Sequence, residues 1–320
     1  MKKKILLHCI CMLVMVGLLP SCNDELNNEL FHKFVYLSTN GWQVYEIDVN
    51  ENNMADLNIH IGVNGTSGND RNITVNLSID PDTLAGYNFD KYKYQTQYYY
   101  PQLPLSCYSF DKESYAIPAG EIKATSVITI DLEKIENPYT EYVLPLQIES
   151  STGLEKGESR YIKVLANIFF MNPYSGQFSG NGTLKEEGST DSKDWLDVSG
   201  IKLYATSVNS CYMYAGNVTR TNTDNYTDYA INITFNEDET INMSSQNSEL
   251  GFIPVSATIE RTYTNVVNDN RYYNQASVLF LKYRYKDLSP EEERILEFSG
   301  DFNINKRVLK TDYPDIIIED

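Results

Sequence analysis

Hydrophobic and polar residues alternate along much of the chain after residue 34. In residues 57–63 every second residue is aliphatic, and residues 73–79 repeat this arrangement. A period of two is typical of a strand with one buried face. Similar runs occur near 35–38, 44–49, 126–132, 142–148 and 161–170. With turn-forming residues between the runs, about seven strands in roughly 135 residues predict an all-β, antiparallel sandwich.

The segment Asn172-Pro173-Tyr174-Ser175-Gly176 interrupts this pattern, and we place a domain boundary at residue 172. Eight more strand-like runs follow it, near 177–184, 198–206, 210–217, 229–236, 240–245, 254–266, 276–286 and 294–304. They predict a second antiparallel β domain, either an up-and-down barrel or another sandwich. Within it, alternate residues from Leu279 to Tyr285 would face the interior. The helix-start signal Ser289-Pro290 predicts a single turn before the last strand.

The N-terminus has the features of a targeting segment. A basic start, Met1 to Lys4, precedes a 15-residue apolar run that is too short to span a bilayer comfortably. The run ends in Leu19-Pro20-Ser21-Cys22, which resembles the lipobox of bacterial lipoproteins and implies lipid attachment at Cys22. An ordinary secretory signal with an incidental cysteine is the alternative. We therefore expect a signal peptide at 1–21, an acylated tether at 22–33, and domains at 34–171 and 172–320.

Charge and cysteine content narrow the range of functions. The chain has 44 acidic and 26 basic side chains, a formal net charge of −18. Such a surface repels phosphate backbones, so we expect no nucleic-acid partner. Only Cys107 and Cys211 remain outside the leader and the lipidated position, and two buried free thiols are a better interpretation than a bridge. No cysteine pair has zinc-site spacing.

Candidates for catalysis are few. After processing only His32 and His60 remain, the first in the tether and the second on the polar face of a strand. No nucleophile elbow, zinc-protease, P-loop or dinucleotide motif occurs. Carboxylate pairs are too numerous to single one out. The run from Asp48 to Asn52 does not continue as an EF-hand loop, since Asn53 and Ile59 stand where Gly and Glu are required, and other calcium sites stay open. We therefore predict no catalytic residues, no metal site and no cofactor.

Aromatic residues are the more informative chemistry. The chain contains 25 Tyr, 12 Phe and 2 Trp, and flat rings bind the apolar faces of sugars while amides and carboxylates orient the hydroxyls. We expect Trp42 in a turn, Trp195 at a strand start and the tyrosines in loops. The alternative is that each ring packs in the core or at its rim. The candidate glycan-binding residues are Trp42, Tyr98, Tyr99, Tyr100, Trp195, Tyr272 and Tyr273.

Several motifs in the first half occur together in a known family. They are Ser78-Ile79-Asp80, Leu84-Ala85-Gly86-Tyr87-Asn88, Pro101-Gln102-Leu103-Pro104, Ile117-Pro118-Ala119-Gly120, Ile130-Asp131-Leu132 and Tyr142-Val143-Leu144-Pro145-Leu146. This combination resembles the Ig-like N-terminal domain of Bacteroidetes surface lipoproteins encoded in glycan utilisation loci. The same module precedes the catalytic barrel of some endo-β-N-acetylglucosaminidases, a barrel that is absent here. The remainder resembles the lipocalin-like domain that often accompanies it.

The resemblance implies a setting as well as a fold. The segment Asn23-Asp24-Glu25 after Cys22, with two acidic residues, resembles the signal that directs such lipoproteins to the outer face of the outer membrane. We therefore predict a lipid-anchored, non-catalytic protein that binds an oligo- or polysaccharide, with an outer-membrane importer complex as a candidate partner. The alternative is a structural or adhesin-like subunit that binds proteins through sheet edges. A glycoside hydrolase is the third hypothesis.

Overall fold

The computed structural model describes residues 31–289, 294–316 and 318. The predicted signal peptide, Cys22 and the turn expected after Ser289 lie outside the described residues. Within the described part, no helix is both long and apolar enough to cross a membrane.

The first half forms two stacked sheets around one hydrophobic core. A four-stranded sheet has the order β1-β3-β7-β5, and a five-stranded sheet has the order β2-β9-β8-β4-β6. Every pair is antiparallel except β2–β9, which is parallel. The aliphatic positions of residues 57–61 are fully buried between the sheets, as their alternation predicts. The strands are β1 Val35–Leu37, β2 Gly41–Asp48, β3 Met54–Val63, β4 Ile73–Ile79, β5 Tyr108–Phe110, β6 Tyr115–Ile117, β7 Lys123–Asp131, β8 Val143–Thr152 and β9 Lys163–Met171.

One α-helix, α1, covers Pro81–Tyr92 and was not predicted. Asp80 caps its N-terminus, since the carboxylate accepts hydrogen bonds from the Thr83 amide and hydroxyl, and Pro81 occupies the first turn. The same signal, an acceptor side chain followed by proline, had been recognised only at Ser289. The apolar period of α1 is too weak to reveal the helix by itself.

The second half is a nearly closed, eight-stranded antiparallel barrel with the order β14-β13-β12-β11-β10-β17-β16-β15. Of the two architectures predicted for the second domain, the barrel is therefore correct and the second sandwich is not. Along β16 the residues from Leu279 to Tyr285 alternate between buried and outward-facing positions as predicted. The strands are β10 Gly176–Glu186, β11 Leu196–Ala205, β12 Ser210–Tyr214, β13 Ala230–Phe235, β14 Ile241–Ser244, β15 Ile253–Asn265, β16 Tyr272–Lys286 and β17 Ile295–Leu309.

Short 3-10 turns connect several of these strands. They cover Thr96–Tyr98, Leu105–Cys107, Leu132–Lys134, Ser159–Tyr161, Ser192–Asp194, Tyr226–Tyr229, Ser248–Leu250 and Lys310–Asp312.

The link between the sandwich and the barrel is tightly bonded. The Asn172 side-chain amide donates to the carbonyls of Ser207 and Ser210 at 2.8 and 3.0 Å, and its oxygen accepts from the Ser175 amide at 2.8 Å. Lys306 of β17 donates to the Asn172 and Pro173 carbonyls at 3.1 Å each. These bonds fix the barrel against the end of β9.

Candidate functional site

Several predicted site residues belong to a packed aromatic cluster, here called the joint cluster, made of Trp42, Tyr87, Tyr92 and Tyr100 of the sandwich and Arg220 of the barrel. The expectation that Trp42 lies in a turn is wrong, since Trp42 lies on strand β2. Its ring stacks on Tyr87 with centroids 4.4 Å apart and planes 10° from parallel, and it contacts Tyr100 at 4.7 Å. The rings therefore pack α1 onto the sheet.

Arg220 closes the joint cluster from the barrel side. Only 8% of it is exposed, and its guanidinium lies 3.6 Å from the centroid of the Tyr100 ring. It also hydrogen-bonds to the Tyr98 carbonyl and the Tyr92 hydroxyl, and it lies 3.8 Å from the Glu141 carboxylate. A buried arginine with these partners is paired and desolvated on all sides, which makes the cluster an interdomain contact.

The three adjacent tyrosines have different surroundings. Tyr100 is buried, and burial raises its pKa to about 12, with hydrogen bonding to Tyr92 acting in the same direction. Tyr99 is half-buried and donates to the Lys93 carbonyl at 2.5 Å. Tyr98 is also half-buried, and its hydroxyl donates to Asp224 of the barrel at 2.8 Å. Tyr98 thus connects the sandwich to a loop of the barrel.

Tyr272 and Tyr273 begin strand β16 and do not lie in the loop that the sequence had suggested. Tyr273 is buried and donates to the Ile316 carbonyl, while the Arg307 guanidinium lies 4.3 Å from the Tyr272 ring centroid. The strand register places Leu196, the neighbour of Trp195, level with Tyr283, ten residues from Tyr273. At roughly 3.3 Å per residue the two regions are about 33 Å apart. The predicted aromatics therefore do not form one platform.

A concavity next to an exposed tryptophan, here called the barrel mouth, lies at the open end of the barrel where β10, β11, β16 and β17 meet the 215–229 loop. Its volume is about 740 Å³, within the range of small-molecule sites. Trp195 does not itself line the mouth but lies in the chain between the lining residues Asp194 and Leu196; it is 39% exposed, with the Lys185 ammonium 4.8 Å from its ring centroid. The lining residues used below are Asp194, Asn217, Asp224, Asn225, Tyr285 and Asp287.

An ion pair forms one wall of the mouth. Asp287 is buried and accepts hydrogen bonds from the Arg294 guanidinium at 2.7 Å, the Tyr229 hydroxyl at 3.2 Å and the Ser289 amide at 3.1 Å. Burial opposes its ionisation, but these hydrogen bonds outweigh burial and hold the pKa of Asp287 below its ordinary range. Asp287 is thus a fixed carboxylate whose partners are all within the protein.

The loop that borders the mouth is anchored at its start. Gly216 has a φ of +59°, and its amide donates to the buried Tyr283 hydroxyl at 3.0 Å. A β-carbon here would collide with the Tyr285 hydroxyl, so the position requires glycine. Further along, Asn222 bonds to the Thr219 amide at 2.7 Å and to the Asn217 carbonyl at 3.0 Å. The loop therefore has a defined shape.

Other polar groups at the mouth remain available for a ligand. Among the described residues, the side-chain amides of Asn217 and Asn225 and the carboxylate of Asp194 have no hydrogen-bond partner, and all three are exposed. These groups provide donors and acceptors on one concave face, and the exposed ring of Trp195 adds an apolar surface next to the lining residues Asp194 and Leu196. This combination suits a ligand with hydroxyl groups and apolar C–H faces.

Sequence reasoning found Trp195 but missed the residues around it. Asn217, Asp224 and Asn225 belong to a run of Asn, Thr and Asp between two strands, and the 15 residues from 215 to 229 are many for a hairpin connection. That length and composition were the available signal. No feature of the local sequence indicates the pairing of Asp287 with Arg294, since this pairing depends on the register of β16 and β17.

The remaining candidates for chemistry have ordinary environments. His60 is exposed and hydrogen-bonds to Thr125 at 2.9 Å. Cys107 and Cys211 are both free and buried, and burial raises the pKa of Cys211 to about 12. In the described residues no group of three or more His, Cys, Asp or Glu is arranged to hold a metal ion.

Comparisons with known proteins agree with the two-domain architecture. A family model of an N-terminal domain matches residues 27–155, and a family model of a C-terminal domain matches residues 162–303. No curated protein matches the chain significantly.

Solved structures show the same fold at low sequence identity. A Bacteroides ovatus protein of unknown function has a TM-score of 0.75 and 20% identity, covering 91% of this chain and 98% of its own. A multidomain protein including DUF1735, also from B. ovatus, has a TM-score of 0.75 and 20% identity, with 88% and 97% covered. An auxiliary nutrient binding protein from Bacteroides thetaiotaomicron has a TM-score of 0.72 and 23% identity, with 86% and 94% covered.

Proposed function

We propose that the protein is a non-catalytic glycan-binding lipoprotein of the outer cell surface, and that the barrel mouth holds the sugar. The observation that carries this proposal is the coincidence of an exposed Trp195, unpartnered amides and a concavity of about 740 Å³ at one end of the barrel. The name of the B. thetaiotaomicron neighbour, auxiliary nutrient binding protein, supports a binding role. The lipobox-like Leu19–Cys22 segment supports the anchored location.

Ligand binding at the mouth would need little rearrangement. The hydrogen bonds at Gly216 and Asn222 already shape the loop, so less conformational entropy is lost on binding than for a mobile loop. One sugar ring would stack on the exposed face of Trp195 while the Asn217 and Asn225 amides bond to its hydroxyls. A shallow site of this kind gives modest affinity per sugar, which suits capture of a polymer by an anchored protein.

A glycan array with residues 23–320 is the first test, followed by titration calorimetry with the best-retained glycan. Trp195→Ala and Asn225→Ala should each weaken binding at least tenfold. Tyr272→Ala is the matched control, because it removes an aromatic ring at the opposite end of the barrel and should leave the affinity unchanged. Retention that depends on Tyr272 and not on Trp195, or no retention of any glycan, would contradict the proposal.

A second function is favoured by one observation on the barrel. Strand β15 has 13 residues and pairs only with β16, so its other edge has no hydrogen-bonded strand among the described residues. Ile253 and Val255 on it are 44% and 48% exposed. Such an edge can accept a strand from a partner protein. Co-purification of a membrane partner that is lost on Val255→Pro, without any glycan retention, would favour this function instead.

A further inference from the structure

The inner surface of the barrel changes from apolar to mostly polar along the barrel axis. Towards the mouth it is filled by Phe298, Phe302, Tyr283 and other apolar or aromatic side chains. Towards the opposite end the register places two rows that are polar except for Ile304 across β15, β16 and β17. The first row is Arg261, Ser277 and Ile304. The second row is Tyr263, Gln275 and Lys306.

These rows contain two cations without a carboxylate partner. Within the described residues neither Arg261 nor Lys306 has an Asp or Glu oxygen within 4.0 Å, although the chain is strongly acidic. Lys306 donates to the backbone carbonyls of residues 172 and 173, and burial lowers its pKa. Both side chains are half-buried, and partial burial of unpaired positive charge costs free energy that an anionic partner would offset.

Two buried polar atoms here also have no partner. The Oε1 atom of Gln275, a residue only 2% exposed, accepts no hydrogen bond, although its amide donates to Ser277 at 3.3 Å. The Nε atom of Arg261 is likewise buried and unpaired. Such groups are rare in folded proteins and each lacks a compensating bond. The Gln275 oxygen lacks a hydrogen-bond donor, and the Arg261 Nε–H lacks an acceptor.

A second concavity opens beside these residues, between the free edges of β14 and β15. We call it the lower groove; its volume is about 660 Å³ and its lining includes Tyr174, Phe235, Arg261, Tyr263 and Ile316. The rings of Tyr174 and Phe235 stack with centroids 4.0 Å apart, and the Arg261 guanidinium lies 4.7 Å from the Tyr174 centroid. A guanidinium against a ring keeps its in-plane N–H donors available for a bidentate carboxylate.

We propose that the lower groove binds a carboxylated sugar, with the carboxylate on Arg261 and positive potential added by Lys306 from the row of Tyr263. The choice of a sugar rests on the proposed function, whereas the negative charge is inferred from the groove itself. Glu237, Glu239 and Glu260 also line the groove, but all three are exposed, so water and salt screen them more than they screen the half-buried cations.

The test uses single acidic sugars, so that it does not depend on knowing the polymer. Saturation-transfer NMR and competition titrations would compare glucuronate, galacturonate and N-acetylneuraminate with glucose and galactose on residues 23–320. At least one acidic sugar should bind ten times more tightly than its neutral counterparts. Galactose 6-sulfate, run in parallel, distinguishes a carboxylate site from a sulfate site.

Variants assign the binding to the lower groove. Arg261→Gln should weaken the acidic sugar at least tenfold, and Arg261→Lys, which keeps the charge without the planar fork, should give an intermediate loss. Glu239→Gln removes a negative charge at the rim and should preserve or tighten binding. Circular dichroism and the thermal midpoint verify that each variant is folded.

The outcomes separate this site from the barrel mouth. Trp195→Ala should leave acidic-sugar binding unchanged, so failure of the mouth to bind neutral glycans would not affect this result. No acidic sugar bound, equal binding of acidic and neutral sugars, or full binding by Arg261→Gln would each overturn the proposal. Binding of galactose 6-sulfate alone would overturn the assignment to a carboxylate.

Discussion

The joint cluster and the barrel mouth both contain tyrosines and an arginine, and each has a tryptophan in it or next to it, yet the rings have different surroundings. In the joint cluster Trp42 stacks on Tyr87, and the Arg220 guanidinium lies on Tyr100. At the mouth Trp195 is 39% exposed, beside amides without partners. Aromatic content therefore does not identify a sugar site. The distinguishing property is whether ring faces and polar groups remain unoccupied.

Removing Arg220 should have the largest effect on stability. Arg220→Ala would abolish the contact with Tyr100 and leave Glu141 and the Tyr98 carbonyl without their partner. Truncating one member of a buried pair typically costs about 3 kcal/mol, so we expect that loss in chemical denaturation. Arg220→Lys should recover part of it. A loss below about 1 kcal/mol would show that the cluster does not join the domains.

Trp42→Ala should have the second-largest effect on stability. The side chain is half-buried and stacked, so its removal should lower the free energy of unfolding by about 2 kcal/mol, less than for a fully buried tryptophan. Glycan binding at the mouth should be unchanged. Normal stability with lost binding would transfer the sugar site from the barrel mouth to the joint cluster.

The cap of α1 gives a smaller, pH-dependent effect, because α1 carries the Tyr87 and Tyr92 rings of the joint cluster. Asp80 bonds to Lys163 at 2.6 Å and to Thr83. Burial opposes its ionisation, but these bonds outweigh burial and lower its pKa from the ordinary value of 3.8. Its contribution is therefore present above about pH 4 and lost as pH falls through the lower folded value.

Denaturation of Asp80→Asn at several pH values tests this contribution. At neutral pH the variant should lose about 1 kcal/mol, the usual order for a capping residue. Its stability should also fall less steeply than that of the unmodified protein below pH 4. Identical acid profiles for the two proteins would contradict the assigned pKa direction.

Trp195→Ala should have the smallest effect on stability. The ring is 39% exposed, and among the described residues its only aromatic or cation–π contact is with the Lys185 ammonium, so we expect a change within about 0.5 kcal/mol. The same substitution should weaken glycan binding at least tenfold. A loss of stability as large as that for Trp42→Ala would place Trp195 in the core.

Much of the fold could be predicted because strands with one buried face leave a period of two in the sequence. All eight barrel strands were expected close to their observed bounds, and the alternation along β16 is as predicted. Helix α1 was missed because it lacks a strong apolar period. The parallel β2–β9 pair was missed because strand direction depends on contacts across the sheet.

The site was less predictable than the fold. Local sequence identifies aromatic residues, but not which rings face one another: Trp42 and Tyr87 are 45 residues apart and stack directly. The same holds for Asp224, whose bond to Tyr98 joins two domains. Long-range register and domain packing decide which side chains remain available, and neither leaves a periodic signal.

The two tryptophans provide the most direct test of the claim that the mouth binds glycan, because each region contains one of them. Trp42→Phe leaves Trp195 as the sole tryptophan, and Trp195→Phe leaves Trp42. Each variant is titrated with the best-retained glycan while tryptophan fluorescence is excited selectively. The Trp42→Phe variant should show a saturable fluorescence change, while the Trp195→Phe variant should show none. A saturable fluorescence change in Trp195→Phe, with no change in Trp42→Phe, would contradict the claim that the mouth binds glycan.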